Sequence, residues 1–183
     1  MLFTPFRYPP LKYGSRFGPR DEPTLFYGAL GIGAVLAESA YYRFVFWHGM
    51  AKPPSGKVDT QHTLLEAEYR TSHGLQLQAP PFAEHRELLT HPSEYKASQE
   101  LGSKMRKVGI EVFEFISARD PKGGINVALF TPDAFSNRAL LSQEPWLCEL
   151  TGARVKFSAT HGRMIYDFPV EMFYVDGKFP QPA

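Results

Sequence analysis

The chain has 183 residues, of which 43% are hydrophobic and 14% aromatic, a composition typical of globular rather than disordered proteins. This length is sufficient for one domain with a sizeable core, and we predict a single domain over residues 1–183. The formal charge of +1 argues against a broad electrostatic surface for nucleic acid or for an anionic membrane.

Three features predict a soluble, cytoplasmic protein without a membrane anchor. Cys148 is the single cysteine and has no partner for an intramolecular disulfide, which favours a reducing compartment. The first residues lack the basic segment and long apolar stretch of a signal peptide. Glu38 and Arg43 interrupt the apolar run over residues 24–47, and its uncharged part is shorter than the roughly 18–20 residues that a spanning helix needs.

The first half of the chain predicts a strand, a buried helix and two further strands. Residues 1–24, rich in Pro, Gly, Arg and Tyr, are expected to be irregular with at most one short strand. "TLFYGA" has strand composition, and good helix formers predict a buried helix from Gly33 to about Trp47. After the loop "KPPSGK", we expect "HTLLEAEYRTS" and "GLQLQA" to be strands of an antiparallel sheet with one solvated face.

The second half predicts one helix and several strands. "PPFAEHRELLTHP" is expected to connect elements with a short helical turn. In "SEYKASQELGSKMRKVG" we predict a helix capped by Ser93 and ended by Gly109. "IEVFEFIS" and "INVALF" form a predicted hairpin, and strand-like runs follow in "ARVKFSAT" and "MIYDFPVEMFYV". The expected fold is therefore mixed α+β with few helices.

Several familiar site types lack their residue spacing. Gly28, Gly31 and Gly33 do not form the G-x-G-x-x-G pattern of a dinucleotide loop, and no alternating βαβ pattern follows them. The six histidines show no zinc-like spacing, and we predict no metal site. The sequence also contains no G-x-S-x-G motif of a serine hydrolase.

The remaining candidates are Glu38, Ser117, Arg16 and Arg20. A carboxylate among apolar neighbours at helical spacing is costly to keep ionised unless it faces water, has a partner or takes part in chemistry. For the other three the ordinary interpretation is strong, because an arginine near a strand usually extends to solvent and a serine at a strand end usually caps or turns.

The order of these residues along the chain resembles the RES domain, a bacterial family named after its Arg, Glu and Ser. The resemblance rests on "GSRFGPRDEPTLFYGALGIGAVLAESAYYR" and on "EYKASQELGSKMRKVGIEVFEFISARDPKGGINVALF", and it covers roughly residues 12–131. It implies an α+β fold with an ADP-ribosyltransferase-like split antiparallel β-sheet core and a few helices. The family's Arg, Tyr, Glu and Ser correspond to Arg16, Tyr27, Glu38 and Ser117.

The resemblance implies that the protein is an NAD-degrading toxin of a type II toxin–antitoxin pair. We therefore expect NAD to be the substrate and expect no separate cofactor. The implied partner is a cognate Xre-like antitoxin that carries the DNA-binding function, with an oligomeric complex left open. Two alternatives remain, namely an ADP-ribosyltransferase that modifies a specific host protein and an inactive binding module.

The resemblance gives the candidate residues roles in cleaving the nicotinamide N-glycosidic bond. Arg16, Glu38 and Ser117 would form the catalytic set, with Arg16 also expected to be the charge partner of Glu38. Arg16, Tyr27, Ser117 and Arg119 would bind NAD, although a turn-stabilising or solvated Arg119 is an equal alternative. Water, inorganic phosphate and a protein side chain all remain open as the acceptor.

Overall fold

The computed structural model describes residues 2–9, 12–137 and 139–182. The strands are β1 Phe26–Ala29, β2 Val58–Glu66, β3 Gly74–Gln76, β4 Val112–Ile116, β5 Ile125–Leu129, β6 Ser142–Leu150, β7 Arg154–Ala159 and β8 Ile165–Pro169. The α-helices are α1 Ile32–His48, α2 Arg86–Leu89 and α3 Lys96–Lys107. Short 3-10 helices cover Pro5–Arg7, Phe82–His85, Pro132–Ala134 and Val170–Phe173.

The strands form two four-stranded sheets, which confirms the predicted α+β class with a split sheet core. The first sheet has the order β1-β5-β4-β3, and the second has the order β2-β6-β7-β8. All pairs are antiparallel except β3 with β4. The predicted hairpin of "IEVFEFIS" and "INVALF" is confirmed as the β4–β5 pair.

Helix α1 buries one stripe against the second sheet and turns another toward the first. Its buried residues, together with side chains from β6, β7 and β8, form the largest apolar cluster of the molecule. That stripe consists of Leu36, Ala37, Ala40, Tyr41, Phe44 and Trp47. Val35, Glu38 and Tyr42 follow each other at intervals of three and four residues and therefore lie along a different stripe of the same helix. A helix covered on two sides explains why its sequence is apolar almost throughout.

Helix α3 begins later than the sequence suggested. The predicted cap Ser93 is wrong, because the helix starts at Lys96 after Tyr95 and no side chain caps it. The end is as predicted: Gly109 follows the helix with a positive φ of 80°, a conformation that glycine adopts without steric cost. Val108, which directly precedes this glycine, is 74% exposed.

The sequence grouped β2 and β3 incorrectly. They belong to different sheets, and β3 pairs parallel to β4 rather than antiparallel. Strand β2 instead pairs along its full length with β6. The predicted strand "HTLLEAEYRTS" is also displaced, because the observed strand begins at Val58 and ends at Glu66. Local pattern indicates which face of a strand is solvated and not which strand is its neighbour.

Cys148, the single cysteine of the sequence, lies fully buried in β6. Within the described residues, no helix combines the length and apolar character needed to cross a membrane.

Candidate functional site

A cavity of about 400 Å³ lies between α1 and the first sheet. Strand pairing explains its floor: Phe115 faces Asn126 in register, and Tyr27 faces Ala128, so these side chains share one face of the sheet. Its volume is within the range of small-molecule sites, roughly 300–1,000 Å³. The lining residues are Ser15, Arg16, Tyr27, Gly28, Val35, Glu38, Tyr42, Tyr95, Phe115, Arg119 and Asn126.

Glu38 reaches the cavity from α1 and is held by two neutral donors. The Ser117 hydroxyl and the Asn126 amide Nδ2 both donate to the same oxygen, Oε1, each over 2.7 Å. Among the described residues, no protein group bonds the second oxygen, Oε2, and the side chain is only partly buried. One oxygen therefore fixes the carboxylate while the other is available to a ligand.

Ser117 uses its whole hydrogen-bonding capacity inside the protein. Its hydroxyl oxygen accepts from the backbone N–H groups of Arg119 at 3.1 Å and Asp120 at 3.0 Å, in addition to donating to Glu38. A serine hydroxyl has one donor and two acceptor positions, so all three are used. Ser117 therefore ties the turn after β4 to the carboxylate on α1.

Arg16 lies in the loop before β1 and is held by the end of α2 and the loop that follows it. Its Nη1 donates to the carbonyl oxygens of Leu89 at 3.1 Å and His91 at 2.8 Å, and its guanidinium lies 4.6 Å from the ring centre of Tyr95. Burial is the main cause that lowers the pKa of Arg16, and the nearby Arg119 lowers it further. An arginine nevertheless remains charged near neutral pH, so the site carries a desolvated cation.

Arg119 is a second cation at the same cavity and, unlike the partly buried Arg16, it is buried. Its Nη2 donates to the carbonyl oxygen of Pro92 and to the Tyr95 hydroxyl, and its guanidinium stacks 3.5 Å from the ring centre of Tyr41. The solvated alternative for Arg119 is therefore wrong, since only 5% of the residue is exposed. Tyr95 contacts both arginines, Arg16 through its ring and Arg119 through its hydroxyl.

Tyr27 presents its ring to the cavity while its hydroxyl is held in place. The hydroxyl accepts from the backbone N–H of Phe17 at 3.1 Å and lies 2.9 Å from the Ser15 Oγ. Burial raises the pKa of this hydroxyl, although 37% of the residue remains exposed. The hydroxyl therefore orders the loop that carries Arg16, and the ring offers an apolar surface for a ligand.

The structure gathers the predicted residues with one correction to their pairing. Arg16, Tyr27, Glu38 and Arg119 line the cavity, and Ser117 bonds Glu38 directly. Arg16 is not the hydrogen-bonded charge partner of Glu38, because its guanidinium turns to backbone carbonyls instead; the two interact at longer range. Arg20, the remaining candidate, is exposed and does not line this cavity.

Sequence reasoning did not assign Asn126, Tyr42 or Tyr95 to the site. Asn126 carried a usable signal, since it is the one polar residue in the apolar strand segment "INVALF". A buried polar side chain in such a strand needs a partner, and here that partner is Glu38. Tyr42 and Tyr95 gave no comparable signal, because aromatic residues in helical segments usually belong to the core.

The sequence model of the RES domain family matches residues 2–150. The chain therefore belongs to the RES domain family. RES proteins are known from toxin–antitoxin systems, where they are generally paired with an antitoxin, and this gives the chain a toxin-like role in a coarse sense. No curated protein matches the sequence.

The RES match covers all five predicted residues that line the cavity or bond its carboxylate, namely Arg16, Tyr27, Glu38, Ser117 and Arg119. It also covers the whole first sheet and α1, whereas β7 and β8 lie beyond its end. Within the described residues, no group of three or more His, Cys, Asp or Glu side chains is arranged to hold a metal ion. The cavity itself presents one carboxylate, two guanidiniums and several aromatic rings.

Proposed function

We propose that this RES protein is an NAD-degrading toxin that cleaves the nicotinamide N-glycosidic bond, as a glycohydrolase or phosphorylase. The observation that carries the proposal is the Glu38 carboxylate, whose Oε2 no described protein group bonds, in a cavity that also contains the partly buried guanidinium of Arg16 and the buried one of Arg119. NAD has matching parts: an anionic pyrophosphate and a ribose that becomes positively charged as the bond breaks.

Glu38 is placed for the charge that develops in this reaction. When the bond between the ribose C1′ and the nicotinamide nitrogen breaks, its electron pair moves to the nicotinamide, and the ribose acquires oxocarbenium character. A fixed carboxylate beside that ribose stabilises the positive charge more strongly in a water-poor cavity than in bulk water. The acceptor oxygen of water or inorganic phosphate then bonds C1′, and one proton is released when water reacts.

The remaining residues bind and orient the substrate in this proposal. Arg16 and Arg119 would contact the pyrophosphate, because guanidinium groups bind phosphate oxygens with charge-assisted hydrogen bonds. The Tyr27 ring would stack on the nicotinamide. Ser117, whose hydroxyl is fully used within the protein, would position Glu38 rather than contact the substrate.

Release of free nicotinamide from NAD by the purified protein is the direct test. We expect Glu38→Gln to lower the rate about 10²–10³-fold, the range seen when one preorganised electrostatic group is removed. Glu100→Gln is the matched control, because Glu100 is an exposed glutamate on α3, and it should retain the wild-type rate. Equal rates for the two variants would contradict the proposed role of Glu38.

The same incubation separates the alternative functions. Transfer of label from radiolabelled NAD to a protein, without matching free ADP-ribose, would identify an ADP-ribosyltransferase. Absence of any NAD turnover in folded wild-type protein would favour a binding module. Inorganic phosphate that accelerates nicotinamide release would distinguish phosphorolysis from hydrolysis.

We also propose a cognate Xre-like antitoxin that covers this cavity, with a terminal segment that competes for Arg16. The proposal rests on family membership and on the accessible carboxylate and cations of the cavity. We expect the wild-type chain to arrest growth and co-expression of a cognate antitoxin to restore it. Growth arrest that persists with Glu38→Gln would show that the toxicity does not depend on this site.

A further inference from the structure

The amide of Asn126 has one satisfied half and one unsatisfied half. The residue is 4% exposed in β5, and its Nδ2 donates to Glu38 over 2.7 Å. Its Oδ1 is buried and has no hydrogen-bond partner among the described residues. Leaving a buried carbonyl oxygen unpaired costs free energy, so such an atom in a cavity wall calls for a specific explanation.

Hydrogen-bond directions fix which end of the amide meets the carboxylate. The Ser117 oxygen already accepts from two backbone N–H groups, so its proton points to Oε1 of Glu38. Reversing the Asn126 amide would place Oδ1 against that same carboxylate oxygen, and two acceptors would then face each other. Glu38 therefore sets the orientation of Asn126 and leaves Oδ1 directed away from the carboxylate.

Glu38 and Asn126 share a hydrogen bond in the cavity lining, and each retains an oxygen that no described protein group bonds. One is Oε2 of Glu38, which no described protein group bonds, and the other is Oδ1 of Asn126. A ligand satisfies both if it carries two adjacent O–H donors. The vicinal hydroxyls of a ribose have this arrangement, whereas a phosphate or a carboxylate would be repelled.

We propose that Asn126 is a specificity residue that accepts a hydrogen bond from one ribose hydroxyl while the neighbouring hydroxyl donates to Glu38. This inference rests on the proposed function in that the ribose is taken to be the nicotinamide ribose of NAD. The same amide also positions Glu38, because its Nδ2 donates to Oε1 and Oε2 stays available to the ligand. Asn126 thus couples recognition of the sugar to placement of the carboxylate.

A binding experiment tests this role without turnover. The probe is carbocyclic NAD, whose cyclopentane ring prevents glycosidic cleavage, together with matched analogues that lack the 2′ or the 3′ hydroxyl on that ring. For wild-type protein we expect both deoxy analogues to bind more weakly than the parent, because each lacks one of the two donated hydrogen bonds. The analogue without the hydroxyl that faces Asn126 should bind about tenfold more weakly, since Oδ1 is then left unpaired. In Asn126→Ala the parent should bind about tenfold more weakly, and that analogue should bind within about twofold of the parent.

Two further variants guard against a trivial loss of folding. Asn137→Ala removes an exposed asparagine outside the cavity and should behave as wild type. If Asn126→Ala does not fold, Asn126→Ser retains a donor for Glu38 in a smaller side chain. We expect it to fold and still to lose discrimination between the parent and the deoxy analogue.

Several results would overturn the assignment. The first is that the Asn126 variants still discriminate between carbocyclic NAD and its deoxy analogues. The second is that wild-type protein binds all three ligands equally, and the third is that it binds none of them. Selective loss of affinity for an analogue with nicotinic acid in place of nicotinamide would show that Asn126 recognises the carboxamide instead. If Asn126 discriminates between the parent and the deoxy analogue but the protein releases no nicotinamide from NAD, the proposed enzymatic activity is refuted and the role of Asn126 stands. If nicotinamide is released but the ligands are not discriminated, only the role of Asn126 is refuted.

Discussion

Replacement of Ser117 by alanine perturbs the connection between the first sheet and α1. The wild-type hydroxyl donates to Glu38 and accepts from the backbone N–H groups of Arg119 and Asp120. Alanine removes all three hydrogen bonds without adding bulk at a position that is 4% exposed. The variant therefore isolates the hydrogen bonding of this side chain.

The loss in stability can be estimated from these groups. A hydrogen bond to a charged group contributes about 1.5–3 kcal/mol, and each buried N–H left without an acceptor costs about 1–3 kcal/mol. The Asp120 N–H is only part-buried and can turn to water, and effects of neighbouring groups do not add fully. We therefore expect a decrease of about 3 kcal/mol in the free energy of unfolding. For a chain of this size it corresponds to a decrease of roughly 6–12 °C in Tm.

Ser98→Ala provides the matched control. Ser98 is also fully buried, but its hydroxyl bonds only the Tyr95 carbonyl, which the Gln99 backbone N–H satisfies as well. Its replacement should change the free energy of unfolding by less than about 1 kcal/mol. Chemical denaturation of both variants measures the difference, and nicotinamide release should fall about tenfold in Ser117→Ala alone, equivalent to ~1.4 kcal/mol. Equal stability of the two variants would refute the reasoning, because the three bonds of Ser117 would then contribute nothing measurable.

Three other changes test the surroundings of the site. In Gly102→Ala the new Cβ would lie 1.9 Å from the Phe17 carbonyl oxygen. We therefore expect the free energy of unfolding to fall by about 1–3 kcal/mol and NAD to bind more weakly. An unchanged denaturation curve would contradict this close approach. Tyr95→Phe removes the hydroxyl that accepts from Arg119 but keeps the ring. Titration of the folded variant with NAD should show affinity reduced about fivefold to tenfold. Unchanged affinity would show that the hydroxyl does not contribute to the site. Burial raises the pKa of Tyr41 to about 12, so its stabilising contribution is complete below pH 10 and is lost as pH rises to 12. The stability difference between wild type and Tyr41→Phe should therefore fall by about 2–3 kcal/mol across this window, and a constant difference in denaturation would contradict it.

Local pattern predicted most of the elements but little of their assembly. The apolar helix, the helix end at Gly109 and the β4–β5 hairpin depend on neighbouring residues and are confirmed. The parallel pairing of β3 with β4 was missed because it joins segments separated by α2 and α3. Such long-range pairing is decided by packing of whole elements and leaves no local signature.

The candidate site shows the same division. The resemblance supplied Arg16, Tyr27, Glu38 and Ser117, and they converge on one cavity region. Arg16, expected to be the charge partner of Glu38, interacts with it electrostatically but is not hydrogen-bonded to it. Charge sign does not specify distance, and the neutral donors Ser117 and Asn126 take the positions next to the carboxylate instead.

This separation of charges matters for the proposed chemistry. Had a guanidinium paired directly with Glu38, each charge would be compensated before a ligand arrived, and both would interact more weakly with the substrate. Instead, Tyr95 contacts the two guanidiniums, while neutral donors hold the carboxylate through one oxygen. The two guanidiniums can therefore interact with an anionic group of a ligand, and the carboxylate can interact with a developing positive charge. A substrate with both features, such as a dinucleotide cleaved at its cationic nicotinamide end, uses this arrangement more fully than a ligand that carries only one of them.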